Sequence, residues 1–188
     1  MVRMDIRDGD LAIYRNGGII GRLDDCTHVG RFAWFHNTLS IFSFREWKGC
    51  EIAIASQEVT LYPGRIDVYC PNYPMANMGQ IAAELTYRQL NKPYGWWMIW
   101  RAAFMRLSLI RLLTGWRYDE ADMEPLDWKA PKDCSAAAVW IDRRVLGHAN
   151  FVRWPCPGRA DWACYPTHLA HDSFYAKKFE GLIHKRAA

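Results

Sequence analysis

No two of the six cysteines form a C-x-x-C pair; they stand at 26, 50, 70, 134, 156 and 164. That spacing excludes a zinc ribbon and a thioredoxin-type redox motif. Free thiols in a reducing compartment are the ordinary reading. There is no K/R-rich run and no RNA-binding signature. The formal charge of +4 suits an anionic surface without making nucleic acid a partner. The opening "MVRMDIRDGD" lacks the apolar core of a signal peptide, so the chain is expected to be cytoplasmic when made. The most apolar run, "YGWWMIWRAAFMRLSLIRLLTGW", is broken by Arg101, Arg106 and Arg111. Each arginine costs about 2.5–3.5 kcal/mol at a bilayer centre. A buried or interfacial helix over 96–113 is expected instead of a membrane span, with Arg101 and Arg111 exposed. No internal repeat or low-complexity tract divides the chain.

What is present fits one domain over 1–188. Half of the 188 residues are hydrophobic and ten are tryptophan, enough for a real core. "GDLAIYRNGG" reads as a strand ended by a glycine turn, and "THVGRFAWFHN" as a second strand. "LSIFSFREWKGCEIAIAS" reads as two strands joined near Lys48-Gly49, and "GRIDVYCPN" as another. The period then changes. "MGQIAAELTYRQLNKPYG" carries apolar residues at 81, 82, 85 and 90 and reads as a helix ending before Pro93. "WRYDEADMEPLDWKAPK" is a loop, and the Pro-rich tail closes with a short helix. Strands first and helices after give an α+β fold.

The stretch "PKDCSAAAVWIDR" places Cys134 just after Asp133, a good N-cap, and ahead of three alanines. A helix is expected from there to Gly147. A cysteine in a first helical turn meets unpaired backbone N–H groups and the positive end of the helix dipole, which favour a thiolate. Using that thiolate needs an imidazole within hydrogen-bond reach. Of the six histidines, His28 stands apart because it opens a strand in "DDCTHVGRF". A strand edge facing a helix start would supply the pair. An ordinary buried cysteine and a structural histidine are the plainer alternatives.

Five strings occur in a telling order: "RDGDLAIYR", "GGIIGRLDDCTHVG", "KPYG", "DCSAAAV" and "YPTHLAHDSFY". Their order resembles the circularly permuted branch of the NlpC-type, papain-like cysteine hydrolases. Members of that branch read G-D-(I/L)-x-x-x-(R/Q), S-H-x-G, P-Y, C-S and P-x-x-L. The resemblance spans about residues 7–178 and implies a permuted papain-like fold: a small antiparallel sheet packed on helices, with the catalytic Cys at a helix N-terminus. It implies Cys134 as nucleophile and His28 as base. Gly9 and Asp10 match the strand-opening signature, which is mainly architectural. Tyr94 matches the P-Y aromatic and would line the substrate cleft or aid an oxyanion hole; Asp133 stands beside the nucleophile on the substrate side. The Cys134 N–H would donate to an oxyanion.

The third catalytic member departs from the pattern. Where the family carries a carboxylate, this chain reads "IFSFREWKGC". Ser43 matches the position and Glu46 supplies the charge. By alternation Ser43 shares a face with Ile41 and Arg45, and Glu46 with Phe42 and Phe44.

The resemblance implies a thiol hydrolase that cleaves an amide, with a peptidoglycan peptide as the leading substrate. The runner-up within enzymes is a lipid acyltransferase or hydrolase of the lecithin retinol acyltransferase type. The competing class is a catalytically impaired structural protein, for which a bacteriophage tail, with other tail proteins as partners and action at the bacterial envelope, is the natural setting. No cofactor is implied. A metal site from Cys156, Cys164, His168 and His171 is a minor alternative, resting on the i,i+3 spacing of the two histidines.

Overall fold

The computed structural model describes residues 5–16, 25–97, 129, 132–147 and 155–181. Six strands form one antiparallel sheet: β1 (Leu11–Arg15), β2 (His28–Phe35), β3 (Thr38–Arg45), β4 (Gly49–Ile54), β5 (Arg65–Pro71) and β6 (Tyr175–Phe179). Their order across the sheet is β4-β3-β2-β1-β5-β6. The helices are α1 (Ala55–Leu61), α2 (Met78–Tyr87), α3 (Cys134–Leu146) and α4 (Pro166–His171). The α+β class is therefore correct. The expected helix over 96–113, with its three arginines, falls almost wholly outside the described residues. Among the described residues no helix is long and apolar enough to cross a membrane.

Alternation along the strands gives the sheet two apolar faces. Leu11, Ile13, Val29, Phe44 and Tyr69 point to one face and pack on Ala137, Ala138, Trp140 and Ile141 of α3. The three alanines after Cys134 let α3 lie close to the strands, and Ala136 and Ala137 are buried. Ala12, Tyr14, Phe32, Ile41, Ile66 and Val68 point to the other face, which α1 covers with Ala55 and Val59. α1 was not legible as a helix, since "EIAIAS" continues the strand pattern. Its two packed residues are four apart, which is one helical face.

Two buried ion pairs hold the helix face. Arg31 of β2 donates to Asp142 of α3 at 2.6 Å and to the Ala138 carbonyl at 3.2 Å. The same carboxylate accepts from the hydroxyls of Tyr73 and Tyr175. Next along α3, Arg143 bonds Asp161 at 2.7 Å and the carbonyls of Pro155, Cys156 and Arg159. The tail thereby docks on α3 before it runs through α4 and returns as edge strand β6 on β5. That strand was missed, because a short helix was expected to end the chain.

The "GD" string has a steric meaning. Gly9 sits at φ +88°, and a Cβ there would stand 2.7 Å from the Cα of Gly79, at the start of α2. Only two facing glycines allow that approach. The turn is fixed by the Asp10 carboxylate, which accepts the Arg7 N–H at 2.9 Å.

Candidate functional site

The expected helix start is present. Asp133 is the N-cap of α3, and its carboxylate accepts from the Ala136 N–H at 2.7 Å and the Ser135 hydroxyl at 3.1 Å. The Ser135 hydroxyl also reaches the Cys164 carbonyl at 2.6 Å, tying the tail to this end of the helix. Cys134 follows in the first turn, buried at 8 % exposure. Its sulfur lies against the backbone N–H of Val29 on β2. Tyr94 approaches from the segment bridged to Lys132, and the Gly95 N–H donates to the Lys132 carbonyl at 3.0 Å.

Electrostatics at this end disfavour charge. Burial, with the Asp133 carboxylate beside it, pushes the Cys134 thiol up to about 12, against the opposing backbone N–H groups of Val29 and Ser135. Burial also lifts Asp133 to about 6, although Ala136 and Ser135 donate to it. The Tyr94 hydroxyl is raised by burial and then by Cys134, Asp133 and Glu46. Four of the six candidates, Cys134, Asp133, Tyr94 and Glu46, therefore gather here. Asp133 is committed to the cap, which corrects its expected place among substrate ligands: a buried carboxylate holding two donors is not free to bind.

The other two candidates are elsewhere. Tyr14 pairs with His28 in the β1–β2 register, so both project from the same face, and their rings meet edge to face at 5.0 Å. Tyr14 belongs to the face covered by α1, whereas Cys134 packs on the face covered by α3. No hydrogen bond joins the imidazole to the thiol, and His28 Nε2 is buried without any partner. Burial, then the nearby Arg45 guanidinium, lowers the imidazole to about 3. The expected Cys134–His28 dyad is thus not assembled. The reason is parity: Arg31 points at α3 to reach Asp142, so Val29 does too, and His28 points away.

Ser43 lies on the His28 face, where its hydroxyl accepts from Arg45 Nε at 3.3 Å. Arg45 also pairs with Glu58 at 2.5 Å and Glu51 at 3.1 Å. The Tyr14 hydroxyl lies beside Glu58 without closing a hydrogen bond to it. The Thr27 hydroxyl meets the Tyr62 hydroxyl at 3.1 Å. Ser43 lies in β3 and Glu46 in the exposed turn after it, and neither orients the imidazole by a hydrogen bond. Sequence reading missed this polar cluster, since Glu58 rides on the unrecognised α1.

The metal alternative finds no support. His168 Nδ1 accepts the Tyr165 N–H at 3.1 Å, a local cap of α4. Among the described residues no group of three or more His, Cys, Asp or Glu is placed to hold a metal. Cys156 and Cys164 are both buried and unbridged.

No protein-family model matches the chain, and no curated protein matches it. Among solved structures the chain is similar to the metalloprotein yiiX of Escherichia coli O157:H7, described as DUF1105. The TM-score is 0.49 at 14% identity, covering 76% of this chain and 67% of that one.

Proposed function

We propose that this chain works by binding, as a structural or interaction protein, and that Cys134 is a packing residue of its α+β domain. One observation carries the reading: thiol and imidazole stand on opposite faces of the sheet. With no imidazole in reach among the described residues, a thiol raised to about 12 is thiolate in roughly one molecule in 10⁵ at neutral pH. Nucleophilic catalysis needs the opposite arrangement, a thiol lowered by an adjacent base. A virion tail, with other tail proteins as partners, is the setting that the sequence resemblance suggests for such a component.

A second reading has its own observation. Cys134 opens an Asp-capped helix, and its sulfur touches the N–H of Val29, the residue next to His28. If the imidazole left Tyr14 and reached round the strand, it would accept the thiol proton. The thiolate would then attack an amide carbonyl of a peptidoglycan peptide, the imidazolium would return its proton to the leaving amine as the C–N bond breaks, and water would open the thioester to the acid. In the lipid variant an acceptor other than water takes the acyl group.

Iodoacetamide labelling resolved by peptide mass spectrometry separates the two. The binding reading expects Cys70, the one cysteine that is not fully buried, to react at least tenfold faster than Cys134. It also expects wild type and Cys134→Ala to leave purified peptidoglycan and phospholipid equally untouched. Fast labelling at Cys134 with a Cys134-dependent product would establish the hydrolase instead.

A further inference from the structure

The N-terminal turn, the exposed end of β2 and the start of α2 enclose a cleft of about 460 Å³, away from Cys134. Its walls include Arg7, Asp8, Asp10, Trp34, Cys70 and Tyr73. A second depression of about 260 Å³ continues from it along α2, floored by Phe35, Phe42 and Tyr87. Asp8, Trp34 and Gln80 line both, so the two form one groove. Trp34 is 51 % exposed and Phe35 is 41 % exposed, stacked on Tyr87 at 5.6 Å.

The charges of the first depression do not cancel. Asp5 pairs with Arg7 at 2.6 Å, and Asp10 pairs with Lys178 at 3.0 Å. Among the described residues no cation pairs with Asp8. One carboxylate oxygen of Asp8 accepts the backbone N–H of Trp34 at 2.7 Å, which holds the acid at the strand position that carries the half-exposed indole. The indole itself is held by its Nε1–H on the Ile6 carbonyl at 3.0 Å. The backbone beneath is the close Gly9–Gly79 approach. Asp8 and Trp34 line the same two depressions, where a carboxylate attracts a cation by charge and an exposed indole attracts it by the ring quadrupole. The adjoining aromatic depression takes an apolar side chain a short distance along the same ligand.

We propose that this groove is a peptide-binding site for an extended segment carrying a lysine or arginine, seated between Asp8 and Trp34, with an apolar neighbour on Phe35 and Tyr87. The proposal rests on the binding reading of the chain and names the chemistry of its partner. The test uses the full chain, ¹⁵N-labelled, titrated with an N-acetylated tetrapeptide of alternating lysine and leucine. The Trp34 indole N–H and the amides of Arg7–Asp10 should shift saturably. Acetylating the lysine side chains should weaken binding at least fivefold. Asp8→Asn should do the same, since it keeps the acceptor for the Trp34 N–H and removes only the charge; Trp34→Leu serves as an independent second variant. Titration without shifts at Trp34, or with equal affinity for the acetylated peptide or for Asp8→Asn, would overturn the proposal. The same titration on Cys134→Ala keeps the outcomes distinct. Activity lost with Cys134 would end the binding reading, while peptide affinity unchanged in that variant would leave the groove in place.

Discussion

The two faces of the sheet arise from the same strands by alternation, yet they treat buried polar groups differently. On the α3 face the buried ions sit in dense networks, although Arg31 Nε itself makes no hydrogen bond. Asp142 holds Arg31, Tyr73 and Tyr175, and Arg143 holds Asp161 with three carbonyls. On the α1 face His28 Nε2 and the Tyr14 hydroxyl are buried and lack hydrogen bonds. Each such orphan costs about 1–3 kcal/mol. The α3 face therefore fixes the register of sheet on helix through its ion pairs, whereas the orphans of the α1 face belong to a histidine and a tyrosine outside any ion pair. A catalytic pair needs its members on one face, and here the thiol lies on the first and the imidazole on the second.

Breaking the first face is the harshest way to sharpen this contrast. Asp142→Ala leaves the Arg31 guanidinium and two tyrosine hydroxyls buried around a void. Removing one partner of a buried pair costs about 3–5 kcal/mol. Urea denaturation should register a loss of that size, or the variant should fail to accumulate as folded protein. A loss near zero would mean that the α3 face is not held as described.

The α3 face was also the legible one. Asp133, the alanine run and Gly147 fix both ends of α3 by capping chemistry, which acts locally and can be read locally. The strands β1 to β5 were legible because alternation and turn residues are local too. The side chosen by His28 was not. A strand pattern gives two faces, but which one meets a helix 106 residues later depends on Arg31 finding Asp142, a pairing no local pattern encodes. The polar cluster of the α1 face was hidden for a second reason. Glu58 comes from a seven-residue helix whose sequence continues the strand before it. β6 was missed because an edge strand with charged residues, "YAKKF", carries little apolar alternation.

The faces should also titrate with opposite sign over one pH window. His28 is lowered to about 3 in the fold, against an ordinary value of 6.5. Below 6.5 the unfolded chain binds the extra proton, so the stability linked to neutral His28 is full above that pH and is lost as pH falls. Asp133 is raised to about 6, against an ordinary 3.8. Here the folded chain binds the extra proton, so its contribution is full at low pH and is lost as pH rises through about 6. Between pH 4 and 6 each slope amounts to an effect on the order of 2–3 kcal/mol. Comparing wild type with His28→Gln, the stability difference should move in favour of wild type as pH rises. With Asp133→Asn it should move the other way. Two differences of the same sign would show that these groups do not occupy the described environments.

The smallest effect separates the two residues once matched to a third catalytic position. Ser43 is 4 % exposed, and its hydroxyl has one partner, Arg45, at 3.3 Å. Arg45 keeps Glu58 and Glu51 when that hydroxyl is removed, so no buried charge is orphaned. Ser43→Ala should therefore cost less than about 1 kcal/mol, the net worth of one neutral hydrogen bond to a partner already satisfied. Glu46 lies in the exposed turn after β3, and its carboxylate is one of the charges that raise the Tyr94 hydroxyl. Glu46→Gln should leave stability within about 0.5 kcal/mol, as a substitution in an exposed turn does. It should also move the Tyr94 ring resonances in the NMR spectrum at neutral pH, since a nearby charge is removed, while Ser43→Ala leaves them where they were. Were Ser43→Ala to move the Tyr94 resonances instead, the two side chains would have to share a face, and the separation of thiol from imidazole would lose its geometric basis.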